Sequence, residues 1–480
     1  MRWLHYSDAV RASRIDLPHE IMKTIRIGNG AGFWGDNLDA PRKLAESGQI
    51  DYLTLEYLAE LTMSILAHLR SRDPNAGYVT DVPTVLASCV PALKAQPGLK
   101  IVTNGGGMNP SACAKRCAEV LREAGLSECR IAAVSGDDLL PRIDELMAAG
   151  ETFENFDTGA AFGETRPKIV SANAYLGAEG IVRALQGAAR IIVTGRVADA
   201  SLTVGPVLHE FGAGFDNIPL LSAATVAGHL IECGAQATGG MYAPWTTAIP
   251  LANVGYPIAE ICEDGSLAVT KPSGSDGLVS TATVAEQLIY EIGDPEHYLT
   301  PDLDADFSQV TLTQDGPDRV RVANASGHPA PPRLKVSMAY QDGWMINGML
   351  TVCGPNATAN ARAAGRMILD RVAAAGYQLA RTNIECLGAG DSMPGVRLPG
   401  PGCEPWEVVL RVTAHDPRRE ALDRLAREFA PLVTSGPPGV TGYATARPEP
   451  RRVLAYWPTT IDRRHVPPQV VVRTAQEWLA

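Results

Sequence analysis

The chain has no residues arranged for a structural metal or a disulfide framework. Its nine cysteines are scattered, no CxxC occurs, and only Cys113 and Cys117 stand close, at the i,i+4 spacing of a helix. No HxxxH, HxH or Cys–His pair stands at zinc spacing, so no metal is expected. Reduced, buried thiols of a cytoplasmic protein are the expectation. Residues Met1–Glu20 carry Arg, Asp and Glu without the apolar core of a secretory signal. No apolar run approaches membrane-spanning length, so no membrane partner is expected. Positive charge is short as well: 42 Lys and Arg face 53 Asp and Glu, a net charge of −11. A nucleic-acid surface needs clustered cations to neutralise phosphates, and that class is excluded. The absence of a GxSxG elbow argues against an α/β-hydrolase.

What the chain does have is a repeated grammar of apolar strand followed by polar turn. Ile191-Ile192-Val193-Thr194 stops at Gly195 and delivers Arg196 and Asp199, and a helical pattern follows. Ile25-Arg26-Ile27 runs into Gly28-Asn29-Gly30-Ala31-Gly32-Phe33-Trp34-Gly35-Asp36-Asn37. Ile101-Val102-Thr103 runs into Asn104-Gly105-Gly106-Gly107, Ile131-Ala132-Ala133-Val134 into Ser135-Gly136-Asp137-Asp138, and Ile169-Val170-Ser171 into Ala172-Asn173-Ala174-Tyr175. In a parallel α/β sheet such points are the carboxyl edge, where ligands bind. Asp36, Asn104, Asp137, Asn173 and Arg196 are therefore expected to line one polar cleft.

The pattern predicts an α/β fold: a mainly parallel sheet in the N-terminal domain with helices on both faces, followed by an α+β lobe. Residues 1–22 read as an N-terminal extension, 23–215 as the α/β domain, 216–445 as the α+β lobe and 446–480 as a Pro-containing tail that wraps the surface. Strands over 24–27, 101–104, 131–134, 169–172 and 191–194 are expected in one sheet, with helices between them, one over 137–148. Asp342-Gly343, between two alternating runs, reads as a hairpin turn.

The candidate motifs admit more than one chemistry. Gly30, Gly32 and Gly35 match GxGxxG after a strand, with Glu56 as an acidic residue downstream. In a dinucleotide fold the third glycine lies inside the helix, whereas here a helix is expected only from Leu38 or Asp39. The loop either binds a nicotinamide cofactor, turns the chain, or faces a ligand with its amides and Asp36 or Asn37. Gly105, Gly106 and Gly107 precede the helix start at Asn109-Pro110, so they form an anion site, such as a CoA-phosphate contact, or a tight turn. No lysine follows at Walker-A spacing. Of Asp137 and Asp138, one is expected to cap a helix while the other faces the cleft. Arg196 with Asp199 reads as a bidentate anion grip with a general base, or as an internal salt bridge. Asn173 and Tyr175 could bond a substrate carbonyl. His209 and His229 fall on helical patterns and read as ordinary side chains.

Taken together, the stretches 28–36, 51–60, 103–110, 135–139, 172–178 and 193–202 resemble the acyclic terpene utilisation family, AtuA, in order and across residues 23–460. The resemblance implies a place in the catabolism of branched acyclic terpenes, alongside acyl-CoA carboxylases and hydratases. It also implies a further small ferredoxin-like C-terminal domain in many relatives. That domain is expected to be missing here, or supplied by a separate small ferredoxin-like subunit.

The leading expectation is a homo-oligomeric enzyme acting on a small molecule, a branched-chain carboxylate or acyl-CoA thioester. The chemistry would be of lyase or hydratase type, with no cofactor beyond CoA as part of the substrate. Asp36, Asp137 and Asp199 are the acid–base candidates. Arg196 and the amides of Gly105, Gly106 and Gly107 would hold the anionic group, and Asn104 and Asn173 would polarise a carbonyl. The alternatives are a non-catalytic acyl-CoA-binding or partner subunit and an NAD(P)-dependent oxidoreductase. Clustered, perturbed titratable groups would mark the enzyme, and a large exposed apolar patch the scaffold.

Overall fold

The computed structural model describes residues 22–393, 395 and 404–480. Apart from Met22, the expected N-terminal extension lies outside the described residues. The first half alternates as expected: β1 (Thr24–Asn29), α1 (Ala40–Glu46), β2 (Tyr52–Leu55), α2 (Glu60–Arg72), α3 (Asp81–Ala95), β3 (Lys100–Thr103), α4 (Pro110–Glu123), β4 (Arg130–Ser135), α5 (Ile143–Ala148), β5 (Ile169–Ala174), α6 (Glu179–Gln186), β6 (Ile191–Thr194), α7 (Ser201–Phe211) and α8 (Ile218–Glu232). Then come β7 (Ile258–Cys262), β8 (Leu267–Thr270), α9 (Thr281–Leu288), β9 (Tyr298–Leu299), β10 (Leu303–Asp306), β11 (Thr311–Gln314), β12 (Arg319–Ala323) and β13 (Ser326–Pro329). The last part holds β14 (Arg333–Cys353), α10 (Ala357–Ala374), β15 (Arg381–Leu387), β16 (Glu407–Asp416), α11 (Arg419–Ala426), α12 (Leu432–Ser435), β17 (Val440–Tyr443), β18 (Arg451–Asp462), β19 (Gln469–Thr474) and α13 (Ala475–Leu479).

The fold is mixed α/β around a ten-stranded sheet of order β11-β12-β8-β7-β1-β2-β3-β6-β4-β19. Its centre, β1-β2-β3-β6-β4, is parallel. Its flanks are antiparallel, so the sheet as a whole is mixed rather than mainly parallel. Strand side chains alternate between two apolar cores. Val102, Ala132 and Ile192 join α6, α7 and α8 on one face. Ile101, Ile131 and Ile191 join α1, α2, α3 and α4 on the other. Helices thus cover both faces.

Three expectations are corrected. Strand β5 does not enter the first sheet; it pairs antiparallel with β14, Val336 opposite Ala174. The reason is the crossover: 137–148 yields only the short α5 after a 3-10 turn, and β19 occupies the free edge of β4. Asp342-Gly343 is not a hairpin. Strand β14 runs through it with a register shift between Gln341 and Trp344, because β18 pairs on both sides of the bend. Gly343 takes φ +73 there, and a Cβ would come 2.9 Å from the Asp416 carbonyl. Nor does the C-terminal segment merely wrap the surface, since β18 and β19 each complete a sheet.

From Trp344 to Tyr443 the chain runs β14, α10, β15, β16, α11, β17, with all pairs antiparallel and order β15-β16-β14-β17. That is the ferredoxin-like βαββαβ arrangement. Its own core contains Ile346, Leu350, Leu410, Val412 and Phe429.

Candidate active site at the carboxyl edge

Strands β2, β3, β6 and β4 are neighbours, and their carboxyl ends deliver Glu56, Asn104, Arg196 with Asp199, and Asp137 to one place. Strand β6 enters between β3 and β4, the kind of order change at which open α/β sheets bind ligands. The Arg196 side chain is 3% exposed and sits at the centre. Its Nη1 donates to Asp199 at 2.8 Å and to the Leu58 carbonyl at 3.0 Å, and lies 3.7 Å from Glu56. Its guanidinium stacks 4.1 Å over the Tyr175 ring. Its Nε is buried without a hydrogen-bond partner among the described residues.

Glu56 is buried, and burial together with the charge of Asp199 pushes its carboxyl well above the usual range. Glu56 accepts from the Asn104 amide and from Leu58 N–H at 2.9 Å. Asn104 in turn accepts from Tyr57 N–H at 2.9 Å, so it orients Glu56 rather than facing a ligand. The Asp199 side chain is 32% exposed against 6% for Glu56, so Asp199 is the solvent-facing member of the pair.

Asp137 is buried and ties three strand ends together. One of its oxygens accepts from Arg196 N–H at 3.0 Å and from the Asn173 amide at 2.8 Å. Burial raises its pKa to about 6. Asp138 accepts from Leu140 N–H and pairs with Arg70, but neither aspartate caps a helix as expected, since the N-cap positions that follow are Leu139 and Arg142 and carry no side-chain cap bond. Asn173 keeps a buried carbonyl oxygen without a partner. Tyr175 donates to Glu60 at 2.6 Å, and Lys335 reaches Glu60 at 2.9 Å and lies 4.7 Å from the centre of the Tyr175 ring. Burial would raise the Glu60 carboxyl, but the Lys335 charge and the Tyr175 hydroxyl bring it down to about 2.

Asn104, Asp137, Asn173, Arg196 and Asp199 thus form one connected network. Asp36 is not joined to it by any hydrogen bond or ion pair. Its oxygens accept from Gly32 N–H at 2.8 Å, Asn37 N–H at 2.7 Å and the Tyr256 hydroxyl at 2.6 Å, so the carboxylate is spent on its own loop. The three glycines of 105–107 serve close packing. A Cβ at Gly106 would sit 2.5 Å from the Thr194 carbonyl, and one at Gly105 or Gly107 would collide with Val82 or Leu66. The amides of Gly105 and Gly107 already donate to Thr103 and Asn104. At the GxGxxG match the helix begins only at Ala40, and Gly30 and Gly32 answer to backbone of Pro41 and Cys233.

Sequence reasoning placed Glu56 only as the acidic residue downstream of the GxGxxG match, and it missed Glu60, Lys335 and Glu232. Glu56 could have been found as the polar residue that ends the apolar strand Tyr52–Leu55. Lys335 lies on a distant strand and left no local signal. Among the described residues no group of three or more His, Cys, Asp and Glu is placed to hold a metal ion. No helix among them is long and apolar enough to cross a membrane. A cavity of about 640 Å³ beside α3 and α4, and one of about 440 Å³ beside α10 and α11, lie away from this network and gather no buried acid–base pair.

The model of the acyclic terpene utilisation family protein AtuA matches residues 25–472. The chain belongs to the AtuA family. No curated protein matches it. The match spans the strand-edge network and the ferredoxin-like unit of this AtuA-family chain, and it associates the chain with acyclic terpene utilisation.

Proposed function

We propose that this chain is an enzyme that moves a proton on a branched acyclic carboxylate or its CoA thioester, in a lyase or hydratase reaction. The observation that supports this reading is the carboxyl pair: a buried Glu56, its carboxyl pushed upward by burial, beside a one-third-exposed Asp199, both against the buried guanidinium of Arg196. A pair whose members differ in solvent access is suited to holding a proton and delivering it. Asp199 takes the proton from the carbon next to the ligand carbonyl and returns it to the departing hydroxyl, so that an alkene and water form. The reverse addition runs through the same group: Asp199 takes a proton from water as its oxygen bonds the alkene and delivers that proton to the carbon next to the carbonyl, while Glu56 keeps its own. Arg196 holds Asp199 in place and keeps both carboxyls from repelling each other.

The test offers the full chain a panel of branched acyclic carboxylates and their CoA thioesters, reading binding by calorimetry and turnover by mass spectrometry. Asp199→Asn should lower turnover by about 10²–10⁴-fold, the range for a positioned acid–base group. Asp36→Asn should leave turnover within a few-fold. A wild-type chain that converts no member of the panel, or an Asp199→Asn variant as active as wild type, refutes the reading.

A second reading, a binding subunit without catalysis, is favoured by exposed apolar side chains on the loop after β1, on α2 and on β9: Phe33, Leu61, Ile65 and Leu299. It predicts ligand affinity that survives Asp199→Asn, with no turnover by either form.

A further inference from the structure

Helix α8 packs against Ala200, the residue after Asp199, and its last turn carries two titratable groups that the proposed proton transfer does not use. Gly228 packs so tightly on Ala200 that a Cβ would lie 2.7 Å from the Ala200 Cα. Glu232 stands one turn further along the same helix stripe, and Asp199 is the neighbour of Ala200. The Asn29 amide, at the end of β1, fastens this turn by donating to the carbonyls of Ile231 at 2.8 Å and Glu232 at 3.0 Å. The Glu232 side chain is 10% exposed: one oxygen lies 3.1 Å from His229 Nδ1, and the other is buried with no partner among the described residues. His229 Nε2 is 3.2 Å from the Leu288 carbonyl, which can only accept, so Nε2 carries a hydrogen. Nδ1 and Glu232 therefore share a single proton between them. Tyr298 and Phe307 pack on the imidazole at 5.6 and 5.3 Å between ring centres.

We infer that Glu232, held by His229, is a positioning residue that sets how firmly the Glu56–Asp199 pair keeps its proton. The inference rests on the proposed role of that pair. The charges around Glu232 come from several elements: His229 and Cys233 in its own segment, Asp199 after β6, Glu291 after α9, and the Tyr298 hydroxyl on β9. His229 and Arg196 are the cations of the assembly, against the carboxyls of Glu56, Asp199 and Glu232. With two cations and three carboxyls gathered together, one carboxyl is best left neutral. Burial raises the Glu232 carboxyl to about 7, while His229 counters that rise. Burial would lower the His229 imidazole, but the Glu232 hydrogen bond and charge raise it overall. A negative end of the His229–Glu232 pair next to Asp199 makes loss of the Glu56 proton harder.

The test is a titration of the ligand-free full chain with ¹³C-labelled carboxyls, the Glu56 signal being assigned by its loss in Glu56→Gln. Glu232→Gln removes the negative end, so the Glu56 midpoint should fall by about half a pH unit or more, within the span of charge-driven shifts. Glu232→Asp should restore most of it. His229→Gln should raise the Glu232 midpoint, because its counter-charge is gone. A Glu56 midpoint unmoved by Glu232→Gln, in a variant that melts like wild type, overturns the inference. So does a His229→Gln variant with the Glu232 midpoint unchanged, and this arm stands if Glu232→Gln fails to fold. Neither result touches the Asp199→Asn turnover test, so the pair's role and its tuning fail separately.

Discussion

The loops after β1 and β6 both leave a buried parallel strand, pass a glycine and present an aspartate, yet they have opposite uses. Asp36 has its oxygens filled by two loop amides and a tyrosine hydroxyl. Asp199 has one strong partner, Arg196, and is one-third exposed. A carboxylate at a strand end is available for chemistry only when its own backbone leaves lone pairs free. The β1 loop is long, since α1 begins only at Ala40, so it needs an internal brace. The β6 loop passes into α7 at Ser201 with short turns that brace themselves: Ser201 N–H donates to Ala198 O and Leu202 N–H to Asp199 O, which leaves the Asp199 side chain free.

The sharpest way to break that comparison is to remove the cation. Arg196→Met deletes the buried partner of Asp199 and Glu56 and strands the Leu58 carbonyl. Breaking a buried pair on one side costs about 3–5 kcal/mol, read as a lower urea midpoint. Arg196→Lys keeps the charge, loses the planar stack on Tyr175 and should fall between the two. A loss below about 1 kcal/mol, the scale of an exposed pair, would mean that Arg196 is not the clamp.

The next test separates Asp137 from both loops through pH. Its carboxyl ionises near 3.8 in a solvated chain and near 6 in the fold, because burial disfavours its charge. A raised folded value stabilises the fold below about pH 4, and that contribution drains away as pH climbs to about 6, then stays lost. The total is on the order of 3 kcal/mol. Asp137→Asn cannot ionise, so its stability deficit relative to wild type should shrink across that window. A deficit that widens from pH 4 to pH 6.5 would contradict the assignment. Glu56 is raised in the same direction, so it too costs stability as pH rises through its folded value.

Much of the site was legible because strand-end chemistry is local. Asn104, Asp137, Arg196 and Asp199 each follow an apolar run by a few residues, and the parallel strands turn that spacing into proximity, whereas Asn173 comes from β5 in the other sheet and joins through Asp137. Asp36 obeys the same pattern, and nothing in its spacing reveals that Tyr256, more than two hundred residues on, takes its oxygen. Lys335 and Glu232 arrive from β14 and α8, so their place in the network depends on tertiary packing. Sheet membership was read less well than strand existence. Ile169–Ala174 is a strand, but its partner was decided by a poor crossover and by a C-terminal strand that claimed the edge first.

The smallest effect is expected at Asp138, and it sharpens the contrast with its neighbour. Asp138 lies 3.1 Å from Arg70, with side chains 27% and 42% exposed, so water screens the pair. Its other oxygen accepts from Leu140 N–H at 3.1 Å, a bond that an asparagine oxygen can keep. Asp138→Asn should therefore cost no more than about 0.5–1 kcal/mol, the range for exposed pairs. That cost should fade in about 1 M salt, whereas the Asp137→Asn effect should persist, because no counterion reaches a buried carboxyl. Equal salt sensitivity in the two variants would show that both carboxylates face solvent, and Asp137 would lose its place as the hub of the strand ends.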